Sequence, residues 1–229
     1  PGNAGLRTRI VRESAPHSGA LLLPWMAAGT AALPGGLRRH SGAGSLRQCV
    51  QDANNGDEIV CDGALAGTIV LTGGAINLAS DLTIAGPGSG LLAVSGGNAA
   101  RIFTATNVNT AINGLTFING LADGLNGGVL VQEGGSAVFS NCLFLGNTAL
   151  GAAGQAGGFG GAIYATGAVL SLYGCVFSNN TATGPGGLPV DVGSYSGGGG
   201  GGAGLGGAIF IHNGVLAITN SWLAGNTAS

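Results

Sequence analysis

A stretch of 23 residues occurs three times in this chain without a gap. It reads GGVLVQEGGSAVFSNCLFLGNTA over Gly127–Ala149, GGAIYATGAVLSLYGCVFSNNTA over Gly160–Ala182 and GGAIFIHNGVLAITNSWLAGNTA over Gly206–Ala228. A repeat of this size decides the architecture before any local feature does. Its columns hold like residues: Leu130, Ile163 and Ile209; Ala137, Leu170 and Leu216; Phe139, Leu172 and Ile218; Phe144, Phe177 and Leu223. The constant apolar positions lie two apart within each segment, while the residues between them vary (Val138, Ser171, Ala217). This is the period of a strand with one buried face. Gly or Asn interrupts at fixed places: Gly134, Gly167 and Asn213, then Asn141, Gly174 and Asn220. The pattern predicts three short strands per unit, stacked about 4.8 Å apart as a parallel β-helix with the columns inside.

Between repeats the extra residues fall just after the NTA triplet, as LGAAGQAGGF and then TGPGGLPVDVGSYSGGGGGGAGL. Insertions confined to one corner mark a loop face, which in solenoids often carries binding. The aligned Asn147, Asn180 and Asn226 predict a corner ladder of side chains hydrogen-bonded from rung to rung.

The GGAI segments (Gly160–Ile163, Gly206–Ile209), paired with F-x-x-N (Phe144–Asn147, Phe177–Asn180), resemble the repeat of chlamydial polymorphic outer membrane proteins and related bacterial surface β-helix proteins. The first repeat departs with GGVL, the last with Leu223 in place of Phe. Upstream, GSLRQCVQDANNGDEIVCDG, GTIVLTGGAINLASDLTIAGPG and ARIF are similar to the amino-terminal region of CSLREA-type secreted β-helix proteins. Together the two cover about residues 44–229. They imply a right-handed parallel β-helix, exported and extracellular or at a bacterial cell surface. They imply no activity.

Composition agrees with a stacked coil. Hydrophobic residues make up 45% of the 229, yet 49 are Gly and only 7% are charged, against about 25% in ordinary domains. Lysine is absent, and five of the seven arginines precede residue 40. No basic stripe exists to neutralise phosphates, which excludes nucleic acid as a partner, and no run is long enough to span a bilayer.

Residues 1–43 place Arg7, Arg9 and Arg12 ahead of ALLLPWMAAGTAALPGG, the basic-then-apolar form of a secretory leader. The alternative is an ordered arm that covers an open sheet edge, with Leu21, Leu22, Leu23 and Trp25 as assembly contacts. Residues 44–65 read as a short capping helix and the first strand, with Ser45 as N-cap and Gln48 three residues on. Residues 66–229 read as the β-helix proper. Its last rung is expected to lie open, either because further chain follows or because another copy stacks on it head to tail as a filament. Trp222 in that rung and Tyr195 in the glycine-rich loop are further expected contacts.

Cys49 and Cys61 flank the first helix-to-strand connection and could close a small disulfide loop. Cys142 and Cys175 share a column with Ser221, favouring a stack of small buried side chains over a bridge between rungs. No zinc spacing is present. Enzymes on β-helices use clustered carboxylates for acid–base work or calcium. Here Asp81, Asp123, Glu133 and Asp191 are dispersed, Asp81 and Arg101 read as structural, and His212 lies two rungs from Glu133. Gly193–Gly207 lacks the lysine and context of a phosphate loop. The sequence thus points to a non-enzymatic structural or adhesive protein without cofactor, with copies of itself as the expected partner. Surface glycans or a host receptor stand as alternative partners. The alternative functions are a carbohydrate-binding or polysaccharide-degrading β-helix and the passenger of an autotransported adhesin.

Overall fold

The structure, a computed structural model, describes residues 44–124, 126–152, 158–185 and 203–229, and the backbone of residues 8–11. After β1 (Thr8–Val11), helix α1 (Leu46–Asp52) leads into a coil of short strands. The first turn holds β2 (Asp57–Cys61), β3 (Gly67–Val70) and β4 (Ile76–Leu78). The second holds β5 (Leu82–Ala85), β6 (Leu92–Ser95) and β7 (Phe103–Thr106). The third, fourth and fifth turns have four strands each, in the third β8 (Asn109–Asn113), β9 (Thr116–Ile118), β10 (Leu121–Asp123) and β11 (Leu130–Glu133). The fourth repeats them as β12 (Ser136–Ser140), β13 (Leu143–Leu145), β14 (Thr148–Leu150) and β15 (Ile163–Thr166). The fifth follows with β16 (Val169–Tyr173), β17 (Val176–Ser178), β18 (Thr181–Thr183) and β19 (Ile209–His212). The last contains β20 (Val215–Thr219), β21 (Trp222–Ala224) and β22 (Thr227–Ala228).

Each strand pairs in parallel with its equivalent one turn away, so four sheets run along the stack. Sheet A orders β2-β5-β8-β12-β16-β20 and sheet B orders β3-β6-β9-β13-β17-β21. Sheet C orders β4-β7-β11-β15-β19 and sheet D orders β10-β14-β18-β22. The fold is all-β, with parallel strands stacked in sequence order as in a β-solenoid. The exception is β1, which lies antiparallel on the outer edge of β2.

The aligned sequence columns are the registers of the sheets. Leu130, Ile163 and Ile209 pair in sheet C, Phe139, Leu172 and Ile218 in sheet A, and Phe144, Phe177 and Leu223 in sheet B. The earlier turns join the same columns without sharing the repeat. Ile69, Val94 and Phe117 run into Phe144, while Ile59, Ile84 and Ile112 run into Phe139. Aromatic rings fill the middle of the stack. Phe144 and Phe177 lie face to face with centroids 4.2 Å apart, and Phe139 meets Phe144 edge-on at 5.1 Å.

Corners between sheets need a residue in the left-handed region, where a side chain costs least for Gly and next least for Asn. Gly134, Gly167 and Asn213 occupy one such corner, with φ of 65°, 59° and 50°. Asn141, Gly174 and Asn220 occupy the next, with φ of 51°, 59° and 49°. Backbone conformation limits these columns to Gly and Asn, and the asparagine stacked one turn before leaves little room for a Cβ at Gly134 and Gly174, 2.2 Å from Asn107 Oδ1 and 2.8 Å from Asn141 Oδ1.

The fold departs from the expected three strands per unit. The Thr-Ala of each NTA triplet lies in a strand of its own, in sheet D, with Ala122, Ala149, Ala182 and Ala228 in register. Each such strand contributes one small inward residue, so no alternation was there to be seen. At the other end α1 follows the expected cap: Ser45 accepts from the Gln48 N–H at 3.2 Å, and Leu46, Cys49 and Val50 are buried.

Candidate assembly surface

The side chains that fill the columns are buried until the last turn, where they are exposed. Leu170, Leu172 and Phe177 show no exposed area. Their successors Leu216, Ile218 and Leu223 are 38%, 43% and 45% exposed. Together with Ala208 and Ile209 they line an open apolar concavity at this end. Trp222, expected as a contact, is 67% exposed on β21 beside them, and Val215 is 60% exposed. The outer edges of β19, β20 and β21 are the ends of their sheets, so their backbone donors and acceptors face outward. Such edges are usually blunted by charge, proline or a bulge. No Asp, Glu, Lys, Arg or Pro follows Asp191 in this chain. The expected contacts Leu21, Leu22, Leu23, Trp25 and Tyr195 lie outside the described residues.

The asparagine ladder is directional and reaches this end. Asn147 donates from its backbone N–H and Nδ2 to Asn180 Oδ1, at 3.0 and 2.9 Å. Asn180 does the same to Asn226 Oδ1, at 3.0 and 2.8 Å. Each Nδ2 also donates back to the phenylalanine carbonyl of the preceding turn: Phe117, Phe144 and Phe177. Asn147 and Asn180 are fully buried. In the third turn Gly120 stands in this position, and its N–H donates to Asn147 Oδ1 at 2.8 Å. A Cβ at Gly120 would lie 2.2 Å from the Gly128 carbonyl oxygen, which leaves no room for an asparagine.

A second polar ladder went unseen in the sequence because its members differ in type. Asp81 receives the backbone N–H of Asn109 at 2.7 Å and its Nδ2 at 3.1 Å. The Asp81 N–H donates to Asn55 Oδ1 at 3.0 Å, and Ser136 Oγ donates to Asn109 Oδ1 at 2.8 Å. The Asn109 backbone and side-chain hydrogen bonds hold the Asp81 carboxyl below the usual carboxylate range. A depressed folded-state pKa gives stability that is present above the unfolded value and lost as pH falls through the folded one. Thermal melts should therefore show a loss of stability below about pH 4, and an Asp81→Asn variant should melt less steeply with pH there. Parallel pH profiles for both proteins would refute this role.

The remaining polar residues do not converge. Glu133 pairs in register with Thr166, and Thr166 with His212, so a full turn separates the acid from the histidine. Arg101 donates from Nε to the carbonyls of Asn126 and Gly127, at 3.1 and 2.9 Å, and from Nη2 to Asn126 at 2.6 Å. It pins the chain entering β11. Among the described residues no three of His, Cys, Asp or Glu gather where a metal could bind. No helix among them is long and apolar enough to cross a membrane, which says nothing of a β-barrel.

All four cysteines are buried thiols. Cys49 and Cys61 both enter the apolar core, where burial and then the neighbouring Cys49 push the Cys61 thiol up to about 11. Cys142 and Cys175 stack as small core residues. Cys142 Sγ reaches the Ser140 carbonyl at 3.3 Å, and Cys175 Sγ the Phe139 carbonyl at 3.4 Å.

Sheet C carries an aromatic column on its outer face, also missed in the sequence. Tyr164 and Phe210 pair in register, with rings stacked at 5.7 Å and 8°. Phe159 stacks on Phe210 at 4.8 Å. The rings cover each other's faces, so the column ties turns together and offers edges outward. Comparison with protein-family models, curated proteins and solved structures gave no match to this chain.

Proposed function

We propose that this chain is a non-enzymatic structural module, a right-handed parallel β-helix with a short amino-terminal capping helix, that associates with other copies of itself. The observation that carries this reading is the last turn. Among the described residues Leu216, Ile218 and Leu223 are exposed around one concavity and no strand pairs with the outer edges of β19, β20 and β21, in a region without charged side chains or proline. Contiguous apolar surface of this kind marks an interaction site, and strand edges extend a sheet by main-chain hydrogen bonds. The dispersal of Asp81, Asp123, Glu133 and His212 supports a structural role over hydrolysis or elimination on a polysaccharide. Export and a place at a bacterial surface rest on the likeness of residues 44–229 to secreted and surface β-helix proteins.

Sedimentation of the 229-residue chain over a hundredfold range of concentration, with electron microscopy of the same samples, tests this. Species larger than one chain, growing with concentration, are expected. A chain that stays monomeric throughout overturns it.

A further inference from the structure

We infer that Cys142 and Cys175 are a site of oxidation, where reaction with a small-molecule disulfide joins the fourth and fifth turns covalently. The site lies inside the stack and is independent of self-association.

The two residues hold one position in successive turns. Each immediately precedes its strand of sheet B, and those strands pair in register, Leu143 with Val176. The Val176 N–H donates to the Cys142 carbonyl at 3.0 Å, and the Asn141 N–H donates to the Tyr173 carbonyl at 2.8 Å. Hydrogen bonds on both sides therefore keep the two Cα atoms near the strand spacing of about 4.8 Å. A disulfide bridges Cα atoms about 4.4–6.8 Å apart. Asn141 and Gly174, the residues before them, share one left-handed corner, with φ of 51° and 59°. Both side chains thus leave the backbone into the core, where neither has exposed area.

The sulfurs already lie close to the same strand. Cys142 Sγ reaches the carbonyls of Ser140 and Ile112 at 3.3 and 3.6 Å, and Cys175 Sγ those of Phe139 and Tyr173 at 3.4 and 3.5 Å. Ser140 and Phe139 are neighbours in β12, in the turn of Cys142, so the Cys175 sulfur leans toward its partner. A turn of Cys142 about its Cα–Cβ bond brings the second sulfur to the same side. That motion gives up only thiol contacts, and S–H is a weak donor.

Packing by itself does not call for sulfur here. The N–H groups of Leu143, Val176 and Trp222 donate to the carbonyls of Leu115, Cys142 and Cys175, so Leu115 fills this position in the third turn. Ser221 fills it in the sixth, where its Oγ accepts the Cys175 N–H at 3.0 Å. A large apolar side chain and a small hydroxyl both fit, yet the two turns between them carry cysteine.

The reaction is two successive exchanges. One cysteine thiolate attacks a sulfur of the small disulfide and expels half of it as a thiolate. The other cysteine thiolate attacks the cysteine sulfur of this mixed disulfide and expels the second half. The two protein thiols lose two protons and two electrons, and the small disulfide becomes two thiols. Because the closed stack covers both sulfurs, the exchange takes place before the fifth turn closes on the fourth. Each turn of a solenoid contacts only its neighbours, so the link fastens the one interface it spans.

The test is refolding of the reduced, denatured 229-residue chain into a mixture of reduced and oxidised glutathione. Acid quenching, peptic digestion and mass spectrometry then map the pairs. Peptides joined through Cys142 and Cys175 are expected, with the far-ultraviolet spectrum of the reduced, folded chain. Added reductant should lower the thermal midpoint of the linked wild type by about 5 °C or more beyond its effect on Cys142→Ser or Cys175→Ser. Serine is native to this column, so both variants should fold. A map without the Cys142–Cys175 link, whether the four thiols are free or otherwise paired, overturns the inference. A link that forms only with loss of the native spectrum overturns it too, and equal midpoint shifts in all three proteins would refute the fastening of this interface.

Discussion

Gly161→Ala is expected to cost more than about 3 kcal/mol, enough to unfold the chain or to lower its denaturant midpoint severely. Added methylenes in a packed interior cost about 1–3 kcal/mol when side chains can shift, and more when they cannot. Here a Cβ would stand 2.1 Å from the carbonyl oxygen of Gly207 and 2.6 Å from the N and O of Thr181. All three are backbone atoms of adjoining strand segments, held by hydrogen bonds on both sides. Gly161 donates to the Gly206 carbonyl at 3.2 Å, and Thr181 donates to the Asn147 carbonyl at 2.8 Å. Relief would require parting two turns of the stack. Gly167 provides the contrast: its φ is 59° and nothing lies within 4 Å of a Cβ. Gly167→Asn should change stability by about 0.5 kcal/mol or less, because surface substitutions have effects of that size and Asn213 adopts this conformation in the same column. Urea titrations of the two variants decide the matter, and equal midpoints would refute the close approach at Gly161.

Asn180→Ala is expected to cost about 3–5 kcal/mol, well above the same change at Asn226. Each buried polar group left without a partner costs about 1–3 kcal/mol. Removing the Asn180 amide strands the N–H of Asn147 and one of its two Nδ2 hydrogens, takes the Nδ2 donor from the Phe144 carbonyl and cuts the bond to Asn226 Oδ1, while Asn147 Nδ2 keeps the Phe117 carbonyl. These groups lie away from water, since Asn147 and Asn180 have no exposed area. Asn226 is half-buried, and solvent can replace part of what its removal takes from Asn180. Chemical denaturation should therefore rank the alanine variants with Asn180 far below Asn226. Similar losses at the two sites would show that burial does not set the strength of the ladder.

Much of this was open to reading in the chain itself. The columns Leu130–Ile163–Ile209, Phe139–Leu172–Ile218 and Phe144–Phe177–Leu223 pair in the structure as they align in the sequence, because stacked parallel turns put equivalent residues over one another. The left-handed corners were equally legible, since few residues other than Gly and Asn tolerate them. The fourth strand was hidden because it buries a single alanine per turn. The Asn55–Asp81–Asn109–Ser136 ladder was hidden because three residue types serve one hydrogen-bonding position. Nor could spacing decide the state of Cys49 and Cys61, which depends on where α1 directs its buried face.

Local chemistry determined the strand period, the corner residues, the stacking columns and the cap at Ser45, each of which needs only neighbours along the chain or the same place in the next repeat. Tertiary structure alone decided which members of a column are covered. Leu172 and Ile218 are equivalent in sequence, yet one is buried and the other 43% exposed, because burial depends on whether another turn lies above. It also decided that, among the described residues, α1 and β1 lie at the same end of the stack.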